Sequence, residues 1–252
     1  MIEMKNLTKD FGAVHAVRDL SLDIPTGELF CFLGPNGAGK TTTIKMLVGL
    51  LRPTSGSIRI AGIDVRQDPV AAKRLIGYIP DMPFLYEQLT AEEFFRFAGD
   101  LYNVPKAEVD KRLVSSFTQF ALMEHRNVLV KDYSHGMRQR LIYCATFLHD
   151  PTVVFIDEPL MGLDPYTIRL IKTMLVAKAR AGATIVLTTH ILALAQDIAD
   201  RIGIILDGRL VALGTLRQLA QQSGITGSLE DVFLSLTGAS IDEIDMKGEA
   251  RN

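Results

Sequence analysis

Nine consecutive residues, Gly34-Pro35-Asn36-Gly37-Ala38-Gly39-Lys40-Thr41-Thr42, have the types and spacing needed to cradle a polyphosphate. They fit the pattern G-x-x-x-x-G-K-[ST] and continue with a second threonine. Gly37 and Gly39 let the backbone curl so that successive N–H groups face an anion. A helix starting near Lys40 adds the positive end of its dipole. Lys40 is expected to reach the β- and γ-phosphates, and Thr41 to hold Mg²⁺. A second group of reactive residues lies far along the chain, where the apolar run Val153-Val154-Phe155-Ile156 ends in Asp157-Glu158. A buried parallel strand presents ligands at its carboxyl end. Asp157 is therefore expected to bind Mg²⁺, through water, and Glu158 to polarise an attacking water.

The surrounding elements arrive in the order these residues require. Glu28 to Leu33 reads as a short buried strand feeding the loop, and 43–51 as the helix leaving it, stopped by Arg52-Pro53-Thr54-Ser55-Gly56. Residues 20–24 and 57–60 alternate as half-buried strands do. Thr90-Ala91-Glu92-Glu93 is a capping box opening a helix to about Tyr102. Pro105 suits the first turn of the next helix, with Val109, Leu113, Phe117 and Phe120 at helical spacing. A third helix is expected after Ser134, to about Leu148. Strand and helix then alternate: 153–156, a helix 165–180 with Asp164 as N-cap, 184–187 and 202–206. Asp207-Gly208 marks a hairpin into Leu210-Val211. The fold class is α/β, with a helical insertion at about 86–150.

With both motifs in place, the chain resembles the ATP-binding subunit of an ATP-binding-cassette (ABC) transporter over essentially its full length. Tyr133-Ser134-His135-Gly136-Met137-Arg138-Gln139-Arg140 resembles the family signature, usually L-S-G-G-Q. Gly162-Leu163-Asp164-Pro165 resembles the loop that carries an Asp at the dimer interface, and His190 the switch histidine. Phe11 stands where the family places an aromatic that stacks on adenine. The resemblance implies a P-loop NTPase core with a mixed sheet, an antiparallel β-subdomain and an inserted helical subdomain. It implies an ATPase that uses ATP and Mg²⁺, with Glu158, His190 and Lys40 as catalytic residues. Two chains, identical or related, would pair head to tail, so that Ser134 and Gly136 of one meet the γ-phosphate held by the other. An ATP-binding domain would span 1–220 and a short helical tail 221–252, with a frayed polar end from 241.

Two positions depart from the family pattern. The family has a Gln after the strand Ile76-Gly77-Tyr78-Ile79-Pro80, where this chain has Asp81, a shorter and anionic group that can still ligate Mg²⁺. His135 and Met137 replace the first Gly and the Gln of the signature.

Composition narrows the function. At 252 residues, 48% hydrophobic, the chain is one large domain or a domain with an inserted subdomain. A net charge of −2 gives no electrostatic sign of a nucleic-acid partner. Cys31 and Cys144 lie in apolar stretches and read as buried reduced thiols. Met1 to Lys5 is not a signal peptide, and no apolar run approaches about 18 residues, so any membrane role is expected to pass through a separate membrane-spanning subunit at the cytoplasmic face. The segment 228–234 resembles the ending of export-type subunits, with import as the alternative. Soluble ABC ATPases of ribosomes or DNA form a second class, disfavoured by the single cassette and the lack of sustained heptads. No N-K-x-D guanine-reading tetrapeptide occurs, which disfavours a GTPase.

Overall fold

Runs that are apolar at every position and runs that alternate sort the strands into two sheets. In the computed structural model, which describes residues 1–82, 84–158, 160, 163–225 and 228–237, the chain opens with β1 (Ile2–Phe11), β2 (Val14–Ile24) and β3 (Leu29–Leu33). The helix α1 (Lys40–Leu47) follows the phosphate loop and leads to β4 (Ser55–Ile60), β5 (Ile63–Asp64), α2 (Pro69–Arg74) and β6 (Ile76–Ile79). Next come the helices of the insertion, α3 (Ala91–Leu101), α4 (Lys106–Gln119) and α5 (His135–Phe147). Alternation resumes with β7 (Val153–Asp157), α6 (Pro165–Arg180), β8 (Thr184–Thr189), α7 (Leu192–Ile198), β9 (Arg201–Leu206) and β10 (Arg209–Gly214). The described chain closes with α8 (Leu216–Ser223) and α9 (Leu229–Thr237).

β3, β7 and β8 are buried along their whole length and sit inside a six-stranded sheet of order β10-β9-β3-β8-β7-β6. All its pairings are parallel except β9–β10. That register brings Leu33 beside Thr189 and Asp157 beside Thr188, so the loops leaving β3, β7 and β8 open at one edge. The alternating strands form a four-stranded antiparallel sheet, β2-β1-β4-β5. One core lies between this sheet and α1, and a larger one joins the insertion to the far face of the parallel sheet. Within the insertion, Phe95 of α3 meets Phe117 of α4 edge-to-face at 5.3 Å.

Most expected elements are present, with physical reasons for the differences. The loop helix stops at Leu47 rather than reaching residue 51, because Gly49 takes φ 71° and the N–H groups of Leu50 and Leu51 turn back to Lys45 O, each at 2.9 Å. Pro105 caps α4 from just outside, with φ −56° and ψ 138°. The Asp207-Gly208 turn has φ 47° and 77°, the two positive values of a type I′ hairpin. The boundary at 220 falls inside α8, which starts from a capping box of Thr215 and Gln218. Leu229, Val232 and Phe233 of the tail are buried in the larger core. The polar end from 241 lies outside the described residues. Cys31 and Cys144 are both buried free thiols, and burial pushes each pKa well above its ordinary value. Among the described residues no helix is long and apolar enough to cross a membrane.

Candidate functional site

The phosphate loop is held in shape by contacts only glycine permits. Gly37 and Gly39 have φ 81° and 105°, and a side chain at Gly39 would run into the Ala16 carbonyl of β2. A side chain at Gly34 would meet the Ile205 carbonyl of β9 in the same way. Ala38 N–H closes a turn on Pro35 O at 3.2 Å, and Ala38 O accepts Gly208 N–H at 3.0 Å. The loop is thus wedged between the two sheets. Thr43 N–H bonds Gly39 O at 2.9 Å, leaving the N–H groups from Lys40 to Thr42 at the head of α1 without an intrahelical acceptor.

Lys40 is only 6% exposed, and its ammonium donates to Gly34 O at 2.7 Å and Pro35 O at 3.1 Å. Nζ lies 3.7 Å from Glu158 Oε1. Burial lowers the Lys40 pKa, and the charges of Glu158 and Asp157 oppose that shift. Asp157, at the end of β7, is buried, and its Oδ1 accepts from the hydroxyls of Thr41, at 3.1 Å, and Thr188. Glu158 stands one residue beyond the strand with φ 49°, an unusual conformation for a side-chain-bearing residue. Its N–H is held by Thr188 O at 3.2 Å and Thr188 Oγ1 at 3.3 Å. Glu158 Oε2 in turn meets His190 Nδ1 at 3.1 Å.

The cleft these groups define is lined by Ala16, Asn36, Gly37, Gly39, Lys40, Thr41, Thr42, Asp81 and Glu158. Asp81 therefore shares the cleft with Glu158, and the charge of Asp157 also reaches it. Desolvation raises its pKa, and the charges of Asp157 and Glu158 raise it further, against an opposing effect of His190. Thr188 was not anticipated, although it bonds both acids. Its signal was a pair of threonines ending the buried strand Thr184–Thr189. Thr41 Oγ1 and Asp157 Oδ1 are hard oxygens 3.1 Å apart, a donor set that suits magnesium, which takes one or two protein oxygens and completes its shell with water and phosphate. Among the described residues there is no group of three or more His, Cys, Asp or Glu that could hold a metal ion.

The remaining expected site residues lie elsewhere. Phe11, at the end of β1, is 49% exposed and pairs with Val14, two residues before Ala16 of the cleft. Ser134 caps α5, accepting Met137 N–H at 3.3 Å, and Gly136 is the second residue of that helix. Asp164 caps α6, accepting Thr167 N–H at 2.9 Å and the Thr167 hydroxyl at 2.6 Å, and these bonds hold its carboxyl below the usual range. The Leu163 side chain approaches Gly136, so the two helix starts are neighbours. Neither lines the phosphate cleft. Gly162 lies outside the described residues. Next to Asp81, Met82 and Phe84 are 85% and 83% exposed, Leu85 is buried, and Tyr86 packs edge-on against Phe97 at 5.2 Å.

Comparison with known proteins agrees with this geometry. Residues 17–161 match the family described as ABC transporter. The ABC-type transporter ATP-binding protein EcsA of Bacillus subtilis is 32% identical over 238 residues, covering 94% of this chain and 96% of the relative. The daunorubicin/doxorubicin resistance ATP-binding protein DrrA of Streptomyces peucetius is 39% identical over 223 residues, covering 88% and 68%. A solved ATP-binding subunit of an ABC transporter superimposes with a TM-score of 0.90 at 36% identity, covering 94% of this chain and 99% of that one. A dimeric cassette in a post-hydrolysis state with ADP and Pi gives 0.78 at 26% identity, covering 86% and 99%.

Proposed function

The chain belongs to the ABC transporter family as an ATP-binding subunit with ATPase activity, and on that premise we propose that it powers export through a separate membrane-spanning subunit at the cytoplasmic face of the membrane. Two ATPase chains, identical or related, pair head to tail over ATP. The observation that carries this reading is the division of the site: the acids, Lys40 and the loop share one cleft, while Ser134, Gly136 and Asp164 cluster away from it. A second chain supplies its signature face to the first chain's cleft.

In that assembly adenine stacks on Phe11, and the triphosphate lies on the loop N–H groups. The Lys40 ammonium turns from the carbonyls of Gly34 and Pro35 to phosphate oxygens. Thr41 and Asp157 would hold Mg²⁺, with Asp81 nearby, and the ion supplies neutralisation of charge on the β- and γ-phosphates. Glu158, fixed by Thr188 and His190, accepts a proton from water as that water bonds to the γ-phosphorus. The bond from phosphorus to the ADP oxygen breaks, and the products are ADP and phosphate. The head of the partner's α5, capped by Ser134 of the partner subunit, faces the γ-phosphate, so hydrolysis removes the group that holds the dimer closed.

Export is favoured over import by relatives named for drug and linearmycin resistance. The exposed Met82 and Phe84 beside Asp81 offer the membrane subunit an apolar contact next to the catalytic cleft. Sedimentation of Glu158→Gln with ATP is the test. A stable ATP-dependent dimer with little turnover is expected, and hydrolysis at the wild-type rate would remove Glu158 from the role of base.

A further inference from the structure

The ring assigned to adenine does not stand alone. Lys9, two residues earlier on β1, places its ammonium 4.8 Å from the centroid of Phe11. The same ammonium donates to Arg52 O at 3.0 Å. Arg52 belongs to the segment that leaves α1, the helix whose head forms the phosphate site. Two further bonds stitch this segment to the end of β1: Thr54 N–H to Thr8 O at 2.9 Å, and Asp10 N–H to Thr54 Oγ1 at 2.9 Å. On the other side, Asp10 pairs with His15 at 2.7 Å across the β1–β2 turn. Lys9 thus joins the Phe11 ring to the far end of the phosphate helix while the hairpin is held on both sides.

We propose that Lys9 is a positioning residue for the base of the nucleotide. It covers one face of Phe11, fixes the ring's height against α1, and leaves the opposite face for a purine. A cation on one face of an aromatic ring also draws electron density toward itself, which favours an electron-rich base on the other face. The inference rests on the reading that adenine stacks on Phe11 and deepens it: base recognition depends on a charged residue that touches neither base nor phosphate.

The effect is expected in binding rather than in turnover. An exposed ammonium–ring pair corresponds to about a three-fold change in affinity. Equilibrium binding to the full chain would use two probes, ATP and inorganic tripolyphosphate, which has the phosphates but no base. Lys9→Met is expected to weaken ATP about three-fold and leave tripolyphosphate unchanged, and Lys9→Arg to restore ATP binding. With the partner present, the KM for ATP rises in Lys9→Met while kcat holds. Phe11→Ala serves as the control for the underlying reading. If Phe11→Ala weakens ATP but Lys9→Met does not, Lys9 has no positioning role and the adenine reading stands. If Lys9→Met weakens both probes equally, Lys9 acts as a simple charge on phosphate and the proposal is overturned. If Phe11→Ala binds ATP as the wild type does, the adenine reading falls and the proposal with it.

Discussion

The phosphate cleft and the Ser134–Asp164 face are assembled in opposite ways. In the cleft, side chains from distant elements bond to one another: Thr41 of α1 to Asp157 of β7, Asp157 to Thr188 of β8, and Glu158 to Lys40 and to His190. On the other face each residue bonds within its own helix, Ser134 to Met137 and Asp164 to Thr167. A cross-linked buried array orients groups before the substrate arrives, as charge stabilisation in a transition state requires. Locally capped helix starts keep their outer surface for something not in the chain. Under the proposed function, the contrast separates residues assigned to binding and hydrolysing nucleotide from residues assigned to completing the site from outside.

That contrast can be broken by substitutions on either side. The largest effect is expected for Glu158→Gln, a fall of about a thousand-fold in turnover with ATP binding retained. Lys40→Ala should lower turnover about a hundred-fold and weaken ATP binding as well, measured by phosphate release and calorimetry. Ser134→Ala sharpens the contrast. Turnover is expected to fall about ten-fold, the loss of one bond to a charged oxygen, while ATP binding by a single chain is unchanged. Weakened binding in that variant would place Ser134 in its own chain's cleft. Asp81→Gln removes a negative charge that lies in the cleft beside Glu158, so Mg²⁺-free ATP should bind about three-fold more tightly and the Mg²⁺ dependence of turnover should shift. Constancy in both measurements takes Asp81 out of the site.

The smallest effect concerns the joint between the helical insertion and the parallel sheet. His149 follows α5, stacks on Tyr102 of the insertion at 3.6 Å, and sits 3.2 Å from Ile76 O of β6 through Nε2. Its Nδ1 is buried without a hydrogen-bond partner among the described residues, and burial depresses its pKa. As pH falls below about 6.5 the unfolded chain takes up this proton first, so stability present above that value is lost as pH drops toward the folded pKa. Thermal melts at pH 7.5 and 5.5 should show this loss, and His149→Phe should reduce it by about 2 °C.

The cleft was legible in the sequence because its residues fall in contiguous motifs at strand ends. Asp157, Glu158 and the loop occupy the edge that their preceding apolar runs implied. β1 was harder to read because Asn6, at φ 48°, inserts a bulge that shifts the alternation from Met4 to Leu7. Residues 84–86 divide between surface and core, since a short apolar run has no period to show which members turn inward. Thr188 and Lys9 matter through contacts across sheets and turns, which spacing along one segment does not reveal. The Ser134–Asp164 face was legible only by resemblance, because each of its residues alone is an ordinary helix cap.

The claim that the second half of the site comes from another chain is tested most directly by mixing two impaired variants, Lys40→Ala and Ser134→Arg. Paired head to tail, the mixed dimer holds one site with an intact loop from the Ser134→Arg chain and an intact signature from the Lys40→Ala chain. Phosphate release should therefore reappear on mixing, above the level of either variant alone. A mixture that stays at the level of the separate variants would contradict a site shared between chains.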